Sequence, residues 1–189
     1  MTRVALLFVL GTVAGCGGAR ITPPPSPIDP VPAFVVDYGR HSSVLLPSAG
    51  DGKLHEYAFG DFDWFALNRN KWYDALDALF ASDSAALGHR TLELMEDPEQ
   101  LADAAVARRV LTFDVPRERV DRLLARLDAR YRKRLATQVF NRASSLYFVR
   151  DDERYTWANN CNHVTARWLE ALGCRLRGSR MTSKFKFEK

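Results

Sequence analysis

Short apolar runs separated by turn residues predict strands in the part of the chain that follows residue 32. The runs at 33–38, 41–46 and 54–59 are separated by Gly39-Arg40 and by the turn-rich segment 48–52. Runs of this length, bounded by glycine, proline and serine, are typical of strands. We therefore expect three neighbouring strands of one antiparallel sheet.

Further along the chain, apolar residues recur at helical spacing. This spacing predicts helices at 63–80 and 116–136, and Asp97-Pro98 is typical of the start of a short helix. The remaining predicted segments are strands at 91–95 and 109–115, extended segments at 146–149 and 155–157, and a loop ending at Gly88. Strands and helices in this order predict an α+β fold.

The last helix is predicted at 160–172, because Asn160 is a good N-cap and Gly173 favours the end of a helix. At 1.5 Å per residue its ends lie roughly 18 Å apart, whereas a disulfide needs Cα atoms within about 7 Å. We therefore expect Cys161 and Cys174 to stay unpaired. Cys161 takes the first helical position, where the helix dipole and free N–H groups favour a thiolate with a lowered pKa.

The first fifteen residues are typical of a secretory signal peptide. Arg3 precedes an apolar run at 4–13 that is too short to span a bilayer, and Val13-Ala14-Gly15-Cys16 follows. This quartet resembles the lipobox of bacterial lipoproteins, which implies cleavage after residue 15 and a membrane anchor of lipid on Cys16. No aspartate follows Cys16, so the periplasmic side of the outer membrane is favoured over the inner membrane.

Residues 16–32 are predicted to be a tether, and 33–189 a single domain. The segment from Ala19 to Pro32 holds six of the nine prolines, a composition typical of a semi-rigid polyproline spacer. The formal charge is +4, but the basic residues fit a solvated helix face. An exported chain without an array of aromatic and basic residues is not expected to bind nucleic acid. We also expect the protein to be a monomer.

His41 is the candidate partner of Cys161. It stands at the start of an otherwise apolar strand, where a structural histidine is not required. Histidine is the usual base for activating a cysteine, because its pKa lies near neutral pH. We therefore expect the Cys161 sulfur within about 3–4 Å of a ring nitrogen of His41.

Similarity to the permuted papain-like superfamily extends over about residues 33–173. The motifs are Gly39-Arg40-His41-Ser42-Ser43-Val44-Leu45-Leu46-Pro47 and Asn160-Cys161-Asn162-His163-Val164-Thr165. This superfamily includes circularly permuted NlpC-type cell-wall peptidases and the lecithin–retinol acyltransferases. With the further pattern at 57–61, the chain is closest to an uncharacterised, lipoprotein-rich bacterial family within it. The resemblance implies a sheet packed against the helix that bears Cys161.

The resemblance also assigns roles. Cys161 is the nucleophile, His41 is the base, and a third polar residue on the next strand holds the imidazole. Glu56 is the first choice, with His55 and Asp61 as alternatives, because alternation places 55 and 56 on opposite faces of the sheet. The oxyanion would be held by N–H groups at the helix start, with Asn159 or Asn160 nearby.

His163 points roughly 200° away from Cys161 on the helix, so a structural role is favoured over a catalytic one. A metal site built from His41, His55, Cys161 and His163 lacks any ligand pair at metal spacing. No metal or cofactor is therefore expected.

The first functional hypothesis is an envelope thiol hydrolase or acyltransferase that acts through an acyl-enzyme on an amide or ester. Peptidoglycan peptides are the favoured substrate because of location, and lipid acyl groups come second. The alternative is a non-catalytic envelope lipoprotein that uses the same fold to bind a partner or as a structural module. A buried, inert Cys161 is the observation that would favour this alternative.

Overall fold

The computed structural model describes residues 18–67, 84–95 and 97–188, and these residues form the expected α+β fold. The strands are β1 (Arg20–Thr22), β2 (Pro30–Asp37), β3 (Ser42–Pro47), β4 (Lys53–Asp61), β5 (Ala85–Glu93), β6 (Arg109–Pro116), β7 (Val139–Asn141), β8 (Leu146–Asp151), β9 (Arg175–Arg177) and β10 (Lys186–Phe187). The helices are α1 (Pro98–Ala105), α2 (Arg117–Arg132) and α3 (Cys161–Ala171), with single helical turns at Phe62–Ala66 and Leu135–Thr137.

Seven of the described strands form one antiparallel sheet in the order β6-β2-β3-β4-β5-β8-β7. The three strands predicted first, β2 to β4, are its contiguous centre, as expected. β6 returns from far along the chain to pair with the whole length of β2, from Pro30 opposite Pro116 to Asp37 opposite Arg109. A second, small sheet has the order β10-β1-β9.

The large sheet is covered on both faces. On one face, α2 and α3 pack against side chains such as Val44, Leu46 and Phe59. On the other face, α1 packs against Phe34 and Leu45, and the turn Phe62–Ala66 packs against the β4, β5 and β8 end of the sheet. A sheet buried on both faces explains why β2 and β3 read as nearly continuous apolar runs instead of alternating patterns.

Local signals define the helices where they were predicted. The Asp97 side chain accepts a hydrogen bond from Glu99 N, and Pro98 opens α1. Helix α2 begins after Pro116 but ends at Arg132, four residues before the predicted end. Of the helix predicted at 63–80, the described part is the turn Phe62–Ala66, and 68–80 lies outside the described residues.

Two local predictions are wrong. Gly88 does not end a loop but lies inside β5, where a Cβ would sit 2.5 Å from the Phe148 ring. The glycine therefore allows close packing of an aromatic ring on the sheet. Residues 155–157 do not form a strand either, because Thr156 and Asn159 pair only with each other across a tight turn.

The predicted tether is wrong over much of its length. Ala19 and Ile21 are fully buried in the main core, and β1 lies between β9 and β10. Pro30 and Pro32 belong to β2, in a stretch that pairs with β6 alone, since β3 pairs only from Phe34 onward. A strand with one free side tolerates proline, because the missing N–H has no ladder partner there. The folded body therefore begins by Ala19 and not at residue 33.

The predicted signal peptide and the predicted lipidation site at Cys16 lie outside the described residues. Within the described ranges, no helix combines the length and the apolar character needed to cross a membrane.

The buried position of Ile21 gives a direct test of the N-terminal correction. Replacing Ile21 with alanine should lower the free energy of unfolding by about 2–5 kcal/mol, because a cavity opens in the core. Ile28 belongs to the same proline-rich segment but is 86% exposed, so Ile28→Ala should change stability by less than about 0.5 kcal/mol. Urea unfolding monitored by circular dichroism measures both. If both substitutions changed the free energy of unfolding by nearly zero, residues 16–32 would be a free tether and the correction would be wrong.

Candidate functional site

Cys161 is the first residue of α3, as the sequence predicts. The Asn160 side chain caps the helix by accepting hydrogen bonds from Asn162 N at 3.0 Å and His163 N at 3.2 Å. At the other end, Gly173 adopts φ +96°, and Cys174 N donates to Leu169 O. This is the paired hydrogen-bond pattern with which glycine commonly ends a helix.

A buried polar cluster joins the start of α3 to the start of β3. Ser42 Oγ lies 3.0 Å from Asn162 Oδ1 and 3.2 Å from Thr165 Oγ1, and Thr165 Oγ1 donates to Ser42 O. All three residues are almost completely buried. Satisfied hydrogen bonds in an apolar interior fix relative positions strongly, since any slip would leave a polar group unpaired. The cluster therefore sets the position of Cys161 against the sheet.

Several polar groups lie near the Cys161 sulfur. The Tyr155 hydroxyl and the backbone N–H groups of Ser42 and Asn162 each act to lower the pKa of the thiol and so favour its charged form. Cys161 is nevertheless only 3% exposed, and burial outweighs these donors and raises the pKa of the thiol to about 11. The predicted lowering of this pKa by the helix start is therefore wrong for this arrangement. At neutral pH, Cys161 is a protonated thiol.

His41 does not contact this thiol through its ring. The imidazole packs against Tyr38 and Phe65, with ring centroids 5.9 and 4.7 Å away. Both ring nitrogens are buried and make no hydrogen bond, so the hydrogen bond expected between His41 and Cys161 Sγ is not formed. Burial lowers the pKa of His41 to about 4, which keeps the ring neutral. In the neighbourhood of His41, it is the backbone N–H of Ser42 and not the imidazole that favours the charged form of the thiol.

Glu56 lies apart from the His41 nitrogens, contrary to the prediction. Its fully buried carboxylate accepts from Arg90 Nε at 2.6 Å, Tyr38 Oη at 2.5 Å and Ser43 Oγ at 2.6 Å. Burial, together with the nearby Glu56 charge, raises the pKa of Tyr38 and keeps its hydroxyl protonated. The carboxylate is thus paired, as its burial requires, but with an arginine instead of the imidazole.

The two alternatives for the third residue also lie elsewhere. His55 is on the α2 side of the sheet, where it shares hydrogen bonds of 2.9 Å with Asp51 Oδ2 and 3.1 Å with His89 Nε2. Asp61 is buried and accepts from Trp64 N at 2.8 Å at the start of the turn Phe62–Ala66. Burial raises the pKa of the Tyr155 hydroxyl, and the nearby Cys161 and Asp61 charges raise it further.

The two asparagines proposed for the oxyanion have their side chains engaged. Asn159 donates to Arg154 O at 2.7 Å and accepts from Arg167 Nη1 at 2.7 Å, in a partly exposed network. The Asn160 amide donates to Trp157 O, while its oxygen caps the helix. The polar groups that favour a charged Cys161 are therefore backbone N–H groups and the Tyr155 hydroxyl, and not these two amides.

Cys161 and Cys174 are both buried and unpaired, which confirms the expectation from helix length. Burial raises the pKa of Cys174 to about 12. Nδ1 of His163 is buried without a hydrogen bond, on a ring whose pKa is lowered by desolvation and by two nearby arginines. Among the described side chains, no group of three or more His, Cys, Asp or Glu residues is arranged to hold a metal ion.

Sequence reasoning missed Tyr155, which stands six residues before the cysteine in the segment misread as extended. It also missed Ser42, because a serine inside a strand carries no chemical signal of its own. Their importance comes from the contact between β3 and α3, which are far apart in the chain. Two adjacent serines in a predicted strand, Ser42 and Ser43, were the available hint of a polar cluster, because hydroxyls without hydrogen bonds are costly in a core.

Comparisons with known proteins add no match to this geometry. No protein-family model matches the chain, and no curated protein and no solved structure matches it. The functional argument therefore depends on the residues themselves.

The buried Glu56–Arg90 pair predicts a stability effect where a catalytic one was first expected. Glu56→Gln should lower the free energy of unfolding by about 3–5 kcal/mol, because it leaves the Arg90 charge buried and unpaired. Glu93 pairs with Lys53 at the surface, so Glu93→Gln should cost less than about 1 kcal/mol. Denaturant unfolding of both variants measures the difference. A Glu56→Gln protein of unchanged stability would contradict this account.

Proposed function

We propose that this chain is a cell-envelope thiol hydrolase or acyltransferase with Cys161 as its nucleophile. It acts on an amide or ester, is anchored by lipid on Cys16, and has the permuted papain-like NlpC-type arrangement. The antiparallel sheet packed against α3 is compatible with that arrangement.

The observation that carries the proposal is the set of donors around the Cys161 sulfur. A buried cysteine of purely structural use needs no polar neighbours, whereas here the Tyr155 hydroxyl and the N–H groups of Ser42 and Asn162 are near enough to favour the charged form of the thiol. Donors in these positions stabilise negative charge, first on the sulfur and then on the oxygen of an attached acyl group. Their convergence at a helix start is the pattern expected of a nucleophile.

The described arrangement is a resting state. A thiol with a pKa of about 11 does not give its proton to an imidazole with a pKa of about 4. Catalysis requires the His41 ring to leave its contacts with Tyr38 and Phe65 and turn toward the sulfur, where solvent and the thiolate raise its pKa. His41 lies just before β3 and beside the turn at Gly39-Arg40, so this movement requires that turn to rearrange as well as the side chain to rotate.

The reaction then proceeds in two steps. The thiol proton passes to His41, the thiolate attacks the carbonyl carbon, and the leaving amine or alcohol departs with that proton. Water or a second acceptor then attacks the thioester and regenerates the thiol. Peptidoglycan peptides are the favoured substrate because an envelope location supplies them, and lipid acyl groups come second.

The second candidate is a non-catalytic envelope lipoprotein that uses the same fold for binding or as a structural module. A specific observation favours it: Cys161 is 3% exposed, and no ring nitrogen of His41 bonds to its sulfur. In this case Cys161 is a small buried side chain of structural use, and the His41 ring does not form a hydrogen bond with it at any stage.

Acylation of the folded protein separates the two candidates. Incubation with a β-lactone probe, followed by peptide mapping by mass spectrometry, should place an adduct on Cys161 and none on Cys174. His41→Ala should slow this acylation by at least about 100-fold, because general-base catalysis contributes that much. Cys174→Ser is the matched control and should acylate at the rate of the unmodified chain. Labelling of Cys161 only after denaturation would select the binding protein.

The resting state predicts a specific pH dependence of the alkylation rate of Cys161. Because burial raises the pKa of Cys161 to about 11, its thiolate fraction should grow about tenfold per pH unit from pH 7 to 10. The rate of iodoacetamide alkylation of Cys161 in the folded protein should rise accordingly, without a plateau below pH 10. In denatured protein the same residue should level off near its ordinary pKa. A plateau below pH 8 in the folded protein would show a preformed thiolate and imidazolium pair.

A further inference from the structure

A cavity of about 200 Å³ lies on the α1 side of the sheet, away from Cys161. Its walls are mostly apolar or aromatic and include Phe65, Phe148 and Ala105. The rings of Tyr38 and His41 complete the lining. An apolar cavity of about 150 Å³ is large enough to hold a benzene ring, so this one has room for a small aromatic molecule.

Two polar groups in this lining find no hydrogen-bond partner among the residues that the structure describes. Both ring nitrogens of His41 and the hydroxyl of Ser144 are buried, and none of them makes a hydrogen bond. Buried polar groups in folded proteins are nearly always paired, because an unmade hydrogen bond is costly. Two such groups lining one cavity indicate that the missing partner is a molecule that enters it.

The chemistry of these groups defines that molecule. His41 is neutral, with its pKa lowered to about 4 by burial, so its ring offers one donor and one acceptor. Ser144 Oγ can donate and accept. The complementary ligand group is therefore one that does both, as a hydroxyl does, attached to an apolar ring that packs on Phe65 and Phe148.

The cavity is rigidly built on its inner side. Arg90 donates to Tyr38 Oη at 3.0 Å, to Ala105 O at 3.1 Å and to Ser144 O at 3.3 Å, and so fixes three of the lining residues. The Arg90 charge is paired with the Glu56 carboxylate, so it does not give the cavity a net charge.

The rim carries backbone strain. Val106 and Ser145 line the cavity with φ of +53° and +55°, and Val106 is 84% exposed. A β-branched residue rarely adopts such a conformation, and strain of this kind is concentrated at ligand-binding segments.

From these observations we infer that the His41–Ser144 cavity binds a small, uncharged aromatic alcohol, with its hydroxyl between His41 and Ser144 and its ring against Phe65 and Phe148. This binding site uses the His41 ring in its described position and does not rest on the thiol chemistry proposed for Cys161.

The test is an NMR titration of the ¹⁵N-labelled full chain with p-cresol and, separately, with p-xylene. The two probes have nearly the same shape, but p-xylene lacks the hydroxyl. We expect p-cresol to shift the amide signals of Val106 and Ser145 and to bind at least about tenfold more tightly than p-xylene, the loss expected for one unmade hydrogen bond.

Two variants locate the polar contact. His41→Leu and Ser144→Ala should each weaken p-cresol binding severalfold and leave p-xylene binding unchanged or tighter, and circular dichroism checks that both remain folded. Equal affinity for the two probes, no binding at millimolar concentration, or shifts outside the cavity would each overturn the inference. None of these outcomes depends on whether Cys161 is acylated, so the inference and the proposed function fail separately.

Discussion

The buried ion pair between Arg90 and Glu56 is the interaction on which the α1 side of the fold depends. The two residues face each other across β4 and β5, and their remaining hydrogen bonds reach Tyr38, the carbonyl end of α1 and the loop before β8. A buried charge pair adds little net stability by itself, because desolvation offsets the attraction. Its effect here is to fix position, since each segment that it joins would otherwise expose an unpaired polar atom to the core.

The opposite face is organised by a neutral polar cluster. Ser42, Asn162 and Thr165 hold α3 against β3, and the Cys161 sulfur lies beside them among hydrogen-bond donors. Residues 41 and 42 thus belong to two environments, one on each side of the sheet. The His41 ring lines the cavity in the described arrangement, whereas the proposed reaction requires it beside Cys161.

Local features of the chain were predictable from the sequence, and features that depend on distant contacts were not. The Asn160 cap, the start of α3 at Cys161 and the unpaired cysteines follow from signals within a dozen residues. The face of the sheet on which Glu56 lies does not follow from local signals. The alternation of side chains along a strand distinguishes two faces but does not show which element covers each face. Burial raises the pKa of the Cys161 thiol by more than the polar groups near the helix start lower it. Burial depends on tertiary structure, which local sequence signals do not reveal. The proline-rich stretch was misread because its partner, β6, lies some eighty residues further on.

The buried N-terminal strand determines how closely the body can approach a membrane. Ala19 is fully buried, so only Gly17 and Gly18 lie between Cys16 and the first buried core residue, and the step from Cys16 to Ala19 spans about 11 Å at most even when fully extended. With lipid on Cys16, the domain would therefore rest almost on the headgroups instead of sampling the periplasm at the end of a long spacer. Under the proposed function, the substrates within reach would be those that lie at, or are brought to, the bilayer surface, and a strand of cell-wall polymer would have to approach the membrane to be cut.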